Sequence, residues 1–357
     1  MSASNFPALT GQQLQIPNLT PVFTHWRQGV NHCYERLKML VDERLGSLVR
    51  DEVVLKKVKA GNMGLFASCL FPDLEYDKLQ VAALFTIWLF LWDDVVDGGG
   101  GGDDDVFEGK GGEVSEVRKA ERYRDRSLQF VRFCLLGGSE EVRPEALSAA
   151  CGLFAEVARG IHGEDEGRKR QFLQSIEEYM EACVVEARWR VSGRLPRVEE
   201  FYGFRLNTAG VEMLLDLSEM LNEVRLPEEF FESGEVRDMK RFANMIGIII
   251  NELFSLKKEL KDTIAFNLIP IMMQTHDLDL ASATSEVLTS LQSHVRDFDR
   301  SASALRSGAG RDTAKQVDKL IAAYQALVTC VLTFSVKSPR YGLLKDRRDD
   351  GSFLVTL

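Results

Sequence analysis

Asp93-Asp94-Val95-Val96-Asp97 places three carboxylates within five residues. On a helix, Asp93 and Asp97 share one face a turn apart, and Asp94 stands about 100° round from Asp93. Carboxylates so placed repel one another and, at a helix C-terminus, face the negative end of the backbone dipole. The run Leu89-Phe90-Leu91-Trp92 just upstream reads as core helix. A hard cation such as Mg²⁺ would offset the repulsion with oxygen ligands. An acidic helix end running into an acidic loop would spell the same five letters.

A second oxygen-rich pattern is Asn251-Glu252-Leu253-Phe254-Ser255-Leu256-Lys257-Lys258-Glu259. Asn251, Ser255 and Glu259 recur at every fourth position, so they form one stripe along a helix. An amide oxygen, a hydroxyl and a carboxylate in line suit one hard cation. Upstream, Asn244-Met245-Ile246-Gly247-Ile248-Ile249-Ile250 is an apolar segment. Polar residues that continue a buried helix are costly without a partner. The lysines at 257, 258 and 261 suit a solvated face equally well.

Other charged clusters carry less. Asp103-Asp104-Asp105 follows five glycines, with no helix to organise it, and Glu164-Asp165-Glu166 and Asp349-Asp350 read as surface charge. His25, His32, His162, His276 and His294 have no metal-ligand spacing. No GxxxxGK[ST] phosphate loop is present.

Taken together, the two oxygen-rich patterns resemble those of class I terpene synthases, most of all the fungal sesquiterpene synthases. Asp93–Asp97 matches the family's DDxxD motif, and Asn251, Ser255 and Glu259 match its second metal motif. Glu252 stands where many bacterial members carry Asp, at a position that is not the usual ligand. Arg205 lies upstream of Asn251 at about the family's distance for its diphosphate-sensing arginine, and Thr208-Ala209-Gly210 could supply the helix break that follows it. Ser338-Pro339-Arg340-Tyr341 matches the closing Arg-Tyr pair.

The resemblance runs from about Asn18 to Tyr341. It implies Mg²⁺ (three ions) as cofactor, with Asp93, Asp97, Asn251, Ser255 and Glu259 as ligands. Arg205, Lys258, Arg340 and Tyr341 would bind diphosphate. Phe66, Leu89, Phe90 and Phe334 would line the cavity, though many relatives have Trp in place of Phe334. Each of these aromatic residues would serve equally as ordinary core. The implied reaction is ionisation and cyclisation of an isoprenyl diphosphate, with farnesyl diphosphate to a sesquiterpene as the leading expectation. Geranylgeranyl or geranyl diphosphate as substrate, a chain-elongating prenyltransferase, and a non-catalytic protein of the same descent are the alternatives.

These residues need helices to hold them, and helical periodicity dominates the sequence. One helix is predicted from Pro21 to Glu43, and one from about Tyr76 to Asp97, where five consecutive glycines must end it. Others are predicted over 114–136, 144–162, 169–192, 197–222, 234–259, 281–305 and 312–335. The expected fold is all-α: an N-terminal arm over 1–20, one helical domain over 21–345 enclosing an active-site cavity, and a tail over 346–357. Gly98–Gly112 reads as a loop.

The 357 residues, 45% hydrophobic and 27% charged, suffice for a large core. A net charge of -10 argues against nucleic acid as a partner. Six scattered cysteines without a CxxC pair fit a reducing cytoplasm. The apolar runs Val81–Trp92 and Met245–Ile250 are too short to span a bilayer. A monomer or homodimer is expected.

Overall fold

The computed structural model describes residues 9–96, 113–138, 144–260 and 266–357. Two compact units emerge from the chain. One comprises Gly29–Val191 and Glu212–Glu223, the other Met1–Gln28, Ser192–Val211 and Val224–Leu357.

In the first unit, α1 (Tyr34–Leu48), α2 (Glu52–Ala60) and α3 (Met63–Leu70) precede α4 (Tyr76–Val96) and α5 (Glu113–Leu136). The short α6 (Ala149–Gly152) and α7 (Phe154–Gly160) lead to α8 (Glu166–Ser192). Helix α4 packs against α1, α3, α6 and α7. Gly160 permits its closest approach, because a Cβ there would lie 2.4 Å from a Val81 methyl. Beside it Trp88 meets Phe154 with ring centres 4.9 Å apart, and Phe85 meets Phe172 at 5.4 Å. All four rings are fully buried.

The second unit carries α9 (Val198–Thr208), with α10 (Val211–Leu221) crossing back to the first. Then follow α11 (Glu228–Phe231), α12 (Gly234–Glu259), α13 (Leu268–His276), α14 (Leu280–Gly308) and α15 (Ala314–Lys337). Helix α12 is the hub: it packs against α9, α11, α13, α14 and α15. Side-chain caps begin several of these helices, Ser233 on α12, Asn267 on α13 and Asp279 on α14. Each such cap contributes about 1 kcal/mol.

The chain ends are joined. Strands β1 (Gln13–Ile16) and β2 (Phe353–Thr356) pair antiparallel, Gln13 opposite Thr356, and Phe353 lies edge-on to Phe254 of α12 at 5.3 Å. The periodicity did not announce these strands, because four residues are too few to establish a period.

Several helices differ from expectation, among them the segment expected over 197–222, which divides into α9 and α10. The first helix starts at Tyr34, not Pro21, where only a 3-10 turn over Thr20–Phe23 forms. Asn31 explains the delay: its buried amide donates to the carbonyls of Phe71 and Leu74 and its oxygen accepts from the Cys33 amide. The segment expected over 144–162 divides into α6 and α7, and the short α2, α3 and α13 were not anticipated. The loop expected at Gly98–Gly112 lies outside the described residues.

Helices α4 and α15 are long and apolar enough to cross a membrane, which the shorter apolar runs in the sequence did not suggest. Their most apolar windows are 61% and 72% buried within the protein, as core helices are.

Candidate active site

Asp93 occupies the last turn of α4, which ends at Val96; Asp97 lies outside the described residues. One Asp93 oxygen accepts from the Tyr179 hydroxyl of α8 at 2.9 Å. Tyr179 packs on Trp92 with ring centres 5.5 Å apart, and the Trp92 indole N–H donates to Ser127 of α5 at 3.0 Å. Helices α5 and α8 therefore anchor the end of α4. One turn earlier, Leu89 is buried and Phe90 half-buried, its ring edge-on to Phe66 at 5.7 Å.

In the other unit, Asn251, Ser255 and Glu259 lie along the C-terminal half of α12. The Asn251 side-chain oxygen accepts from Arg205 Nη2 at 2.8 Å, and its amide donates to the Tyr341 hydroxyl at 3.1 Å. Three segments far apart in sequence thus meet at one amide. Glu252 completes the arrangement. It is 1% exposed; one oxygen accepts from Arg205 Nε at 2.9 Å and pairs with Nη2 at 2.8 Å, and the other accepts from the Leu268 amide. Such charge-assisted bonds make a buried carboxylate tolerable.

Local sequence explains how Arg205 reaches this point. Glu200 accepts from the Arg197 amide to start α9, and Asn244 of α12 donates to the Leu206 carbonyl at 2.7 Å, fastening α9 to α12. The helix stops after Thr208: Ala209 caps it, Gly210 turns with φ +68°, and α10 begins at Val211. Only glycine takes that φ without strain. Thr208 also lies 3.5 Å from Arg205 Nη1.

Arg340 and Tyr341 sit in a 3-10 turn after α15, capped by the Ser338 hydroxyl. Burial raises the Tyr341 hydroxyl above its ordinary pKa, so it stays protonated and can donate. Phe334 meets Tyr341 edge-on at 6.4 Å. Lys258 is exposed, and its neighbour Lys257 pairs with Asp346 at 3.1 Å.

Sequence reading passed over two side chains. Tyr179 left no signal. Asn267 did leave one, an Asn before the apolar run Leu268-Ile269-Pro270-Ile271 that reads as a helix cap. Glu252 was noted as a non-ligand but not as the partner of Arg205.

The stripe's donors fit a hard divalent cation. They are oxygens only, and Asn267 Nδ2 lies 3.4 Å from Ser255 Oγ and 2.9 Å from a Glu259 oxygen, so those two oxygens face a common point. Crowding by protein and then the Glu252 charge push Glu259 up to about 7. Among the described residues no three His, Cys, Asp or Glu side chains gather at one point.

Known proteins share this chain's fold and part of its sequence. Residues 84–297 match the family described as terpene synthase family 2, C-terminal metal binding. The chain is 26% identical over 352 residues to sesquiterpene cyclase hepA of Aspergillus oryzae, covering 94% of this chain and 90% of that protein. It is 25% identical over 252 residues to 10-epi-cubebol synthase of Sorangium cellulosum, covering 70% and 74%. A linalool/nerolidol synthase from Streptomyces clavuligerus, solved with 2-fluorogeranyl diphosphate, superposes with a TM-score of 0.71 at 16% identity, over 88% of this chain and 97% of that one. The all-α fold is thus that of the terpenoid synthases. With the family match spanning more than half of its length, the chain belongs to the terpene synthase family and is a class I enzyme that cyclises isoprenyl diphosphates.

Proposed function

We propose that this enzyme is an Mg²⁺-dependent sesquiterpene cyclase acting on farnesyl diphosphate. The observation that carries the reading is the meeting of Arg205, Asn251 and Tyr341 at one amide. A metal-ligand candidate and two diphosphate-binding candidates are already joined there. Relatives that carry sesquiterpene names, among them the Aspergillus oryzae cyclase and a germacrene A synthase of Nostoc punctiforme, support the fifteen-carbon substrate.

In this reading Asp93 with Asp97, and Asn251 with Ser255 and Glu259, hold Mg²⁺, three ions in all. When bound, Mg²⁺ supplies Lewis-acid polarisation that turns diphosphate into a good leaving group. The Arg205 and Arg340 guanidiniums take diphosphate oxygens as planar forks, and Tyr341 and Lys258 donate to the same group. Glu252 orients Arg205 for that task. Thr208, Ala209 and Gly210 form the break through which a change at Arg205 passes to α10. Phe66, Leu89, Phe90 and Phe334 face the carbocation with apolar and aromatic surface, which stabilises positive charge without offering a nucleophile.

The test is incubation with farnesyl, geranyl and geranylgeranyl diphosphate in the presence of Mg²⁺, with products analysed by mass spectrometry. A fifteen-carbon cyclic product from farnesyl diphosphate at the highest kcat/KM is expected. Cyclisation of geranylgeranyl diphosphate alone would reassign the substrate, and linear elongation would reassign the reaction.

A further inference from the structure

Asn267 is fully buried, and its single amide serves two helices. Its oxygen accepts from the Ile269 amide at 3.0 Å and so caps α13. Its nitrogen faces α12, donating to the Glu252 carbonyl at 2.8 Å and to a Glu259 carboxylate oxygen at 2.9 Å, with Ser255 Oγ at 3.4 Å. The orientation of the amide follows from chemistry. The Ile269 N–H requires an acceptor on one side, and three oxygens require a donor on the other. The reversed amide would set oxygen against a carbonyl and a carboxylate.

We propose that Asn267 is a positioning residue that holds Ser255 Oγ and the Glu259 carboxylate converged as ligands for one divalent cation. The proposal rests on the reading of Asn251, Ser255 and Glu259 as a metal site. Asn267 reaches both of those oxygens, and the two ligands sit a full helical turn apart on a side of α12 that packs against α13. Without the bridge, Glu259 would lose the amide donor that α13 brings to it. The bridge also ties the start of α13 to the ligand stripe, so any shift of α13 alters the ligands directly.

Asn267→Ser separates the two roles of the amide. Serine caps a helix about as well as asparagine, but its shorter hydroxyl falls short of α12. The measurement is the rise in melting temperature that Mg²⁺ with inorganic diphosphate produces, titrated in Mg²⁺ for wild type, Asn267→Ser and Asn251→Ala. A ligand that binds only the folded state raises that temperature in proportion to its affinity. Asn267→Ser is expected to keep its helical circular dichroism and to require about 10- to 100-fold more Mg²⁺ for half of the shift, the usual loss when a partner of a metal ligand is removed. High Mg²⁺ should restore the full shift. Asn251→Ala should abolish it.

A wild-type Mg²⁺ midpoint in Asn267→Ser, with the shift lost in Asn251→Ala, would overturn the positioning role and leave the metal site standing. No shift in the wild type would overturn both. If Asn267→Ser fails to fold, Asn267→Thr caps in the same way and takes its place. Failure of both to fold would reduce Asn267 to a structural cap.

Discussion

Arg205 and Asn251 hold each other, guanidinium nitrogen to amide oxygen, at 2.8 Å. The same guanidinium nitrogen reaches Glu252 at 2.8 Å. The arginine proposed for diphosphate and the amide proposed for metal are therefore hydrogen-bond partners.

Glu252, 1% exposed, depends on that guanidinium. Arg205→Met should destabilise the protein by about 3–5 kcal/mol, because a buried carboxylate loses its counter-charge. Adding Glu252→Gln should recover much of that loss. Urea denaturation of the single and double variants checks this; equal stabilities would mean that Glu252 finds another partner. Arg205→Lys should keep the charge yet lose most turnover, since an ammonium cannot bridge as a planar fork does.

Removal of the metal should abolish activity reversibly. Excess chelator should stop product formation and added Mg²⁺ restore it, since the ligand set is oxygen-only. Asn251→Ala and Glu259→Ala should lose turnover about a hundredfold or more, with the far-ultraviolet circular dichroism unchanged. Variants that merely unfold would make the stripe structural.

Phe90 stands edge-on to Phe66 at 5.7 Å, and Leu89 beside it is buried. Phe90→Leu removes a ring face, which raises any cation resting on it by about 0.5–2 kcal/mol. Since about 1.4 kcal/mol is tenfold in rate, branching ratios should move visibly. Gas-chromatographic profiles of wild type, Leu89→Ala and Phe90→Leu test this. Unchanged product ratios in both would return these residues to the core.

Phe353 is buried against Phe254, one residue before Ser255. Phe353→Ala should cost about 3–5 kcal/mol, lowering the thermal midpoint, and should raise the Mg²⁺ requirement if β2 steadies the ligand end of α12. A midpoint within a degree of wild type would show the terminal strands to be dispensable.

Much of the chemistry was legible in the sequence because its spacing is local. Asn251, Ser255 and Glu259 share a face simply because four residues advance a helix by about one turn. Asp93 falls in the last turn of its helix, shortly before five glycines in the sequence. Gly210 marks the break after Arg205 because its φ of +68° suits few other residues. No local rule announces what lies across a gap between helices. The grip of Glu252 on Arg205, the Tyr179 bond to Asp93, and the Asn267 bridge to Ser255 and Glu259 each join residues from different helices or turns. The pairing of Gln13–Ile16 with Phe353–Thr356 spans nearly the whole chain. Such contacts depend on how helices pack and on which buried polar groups remain to be satisfied, and only the tertiary structure decides that.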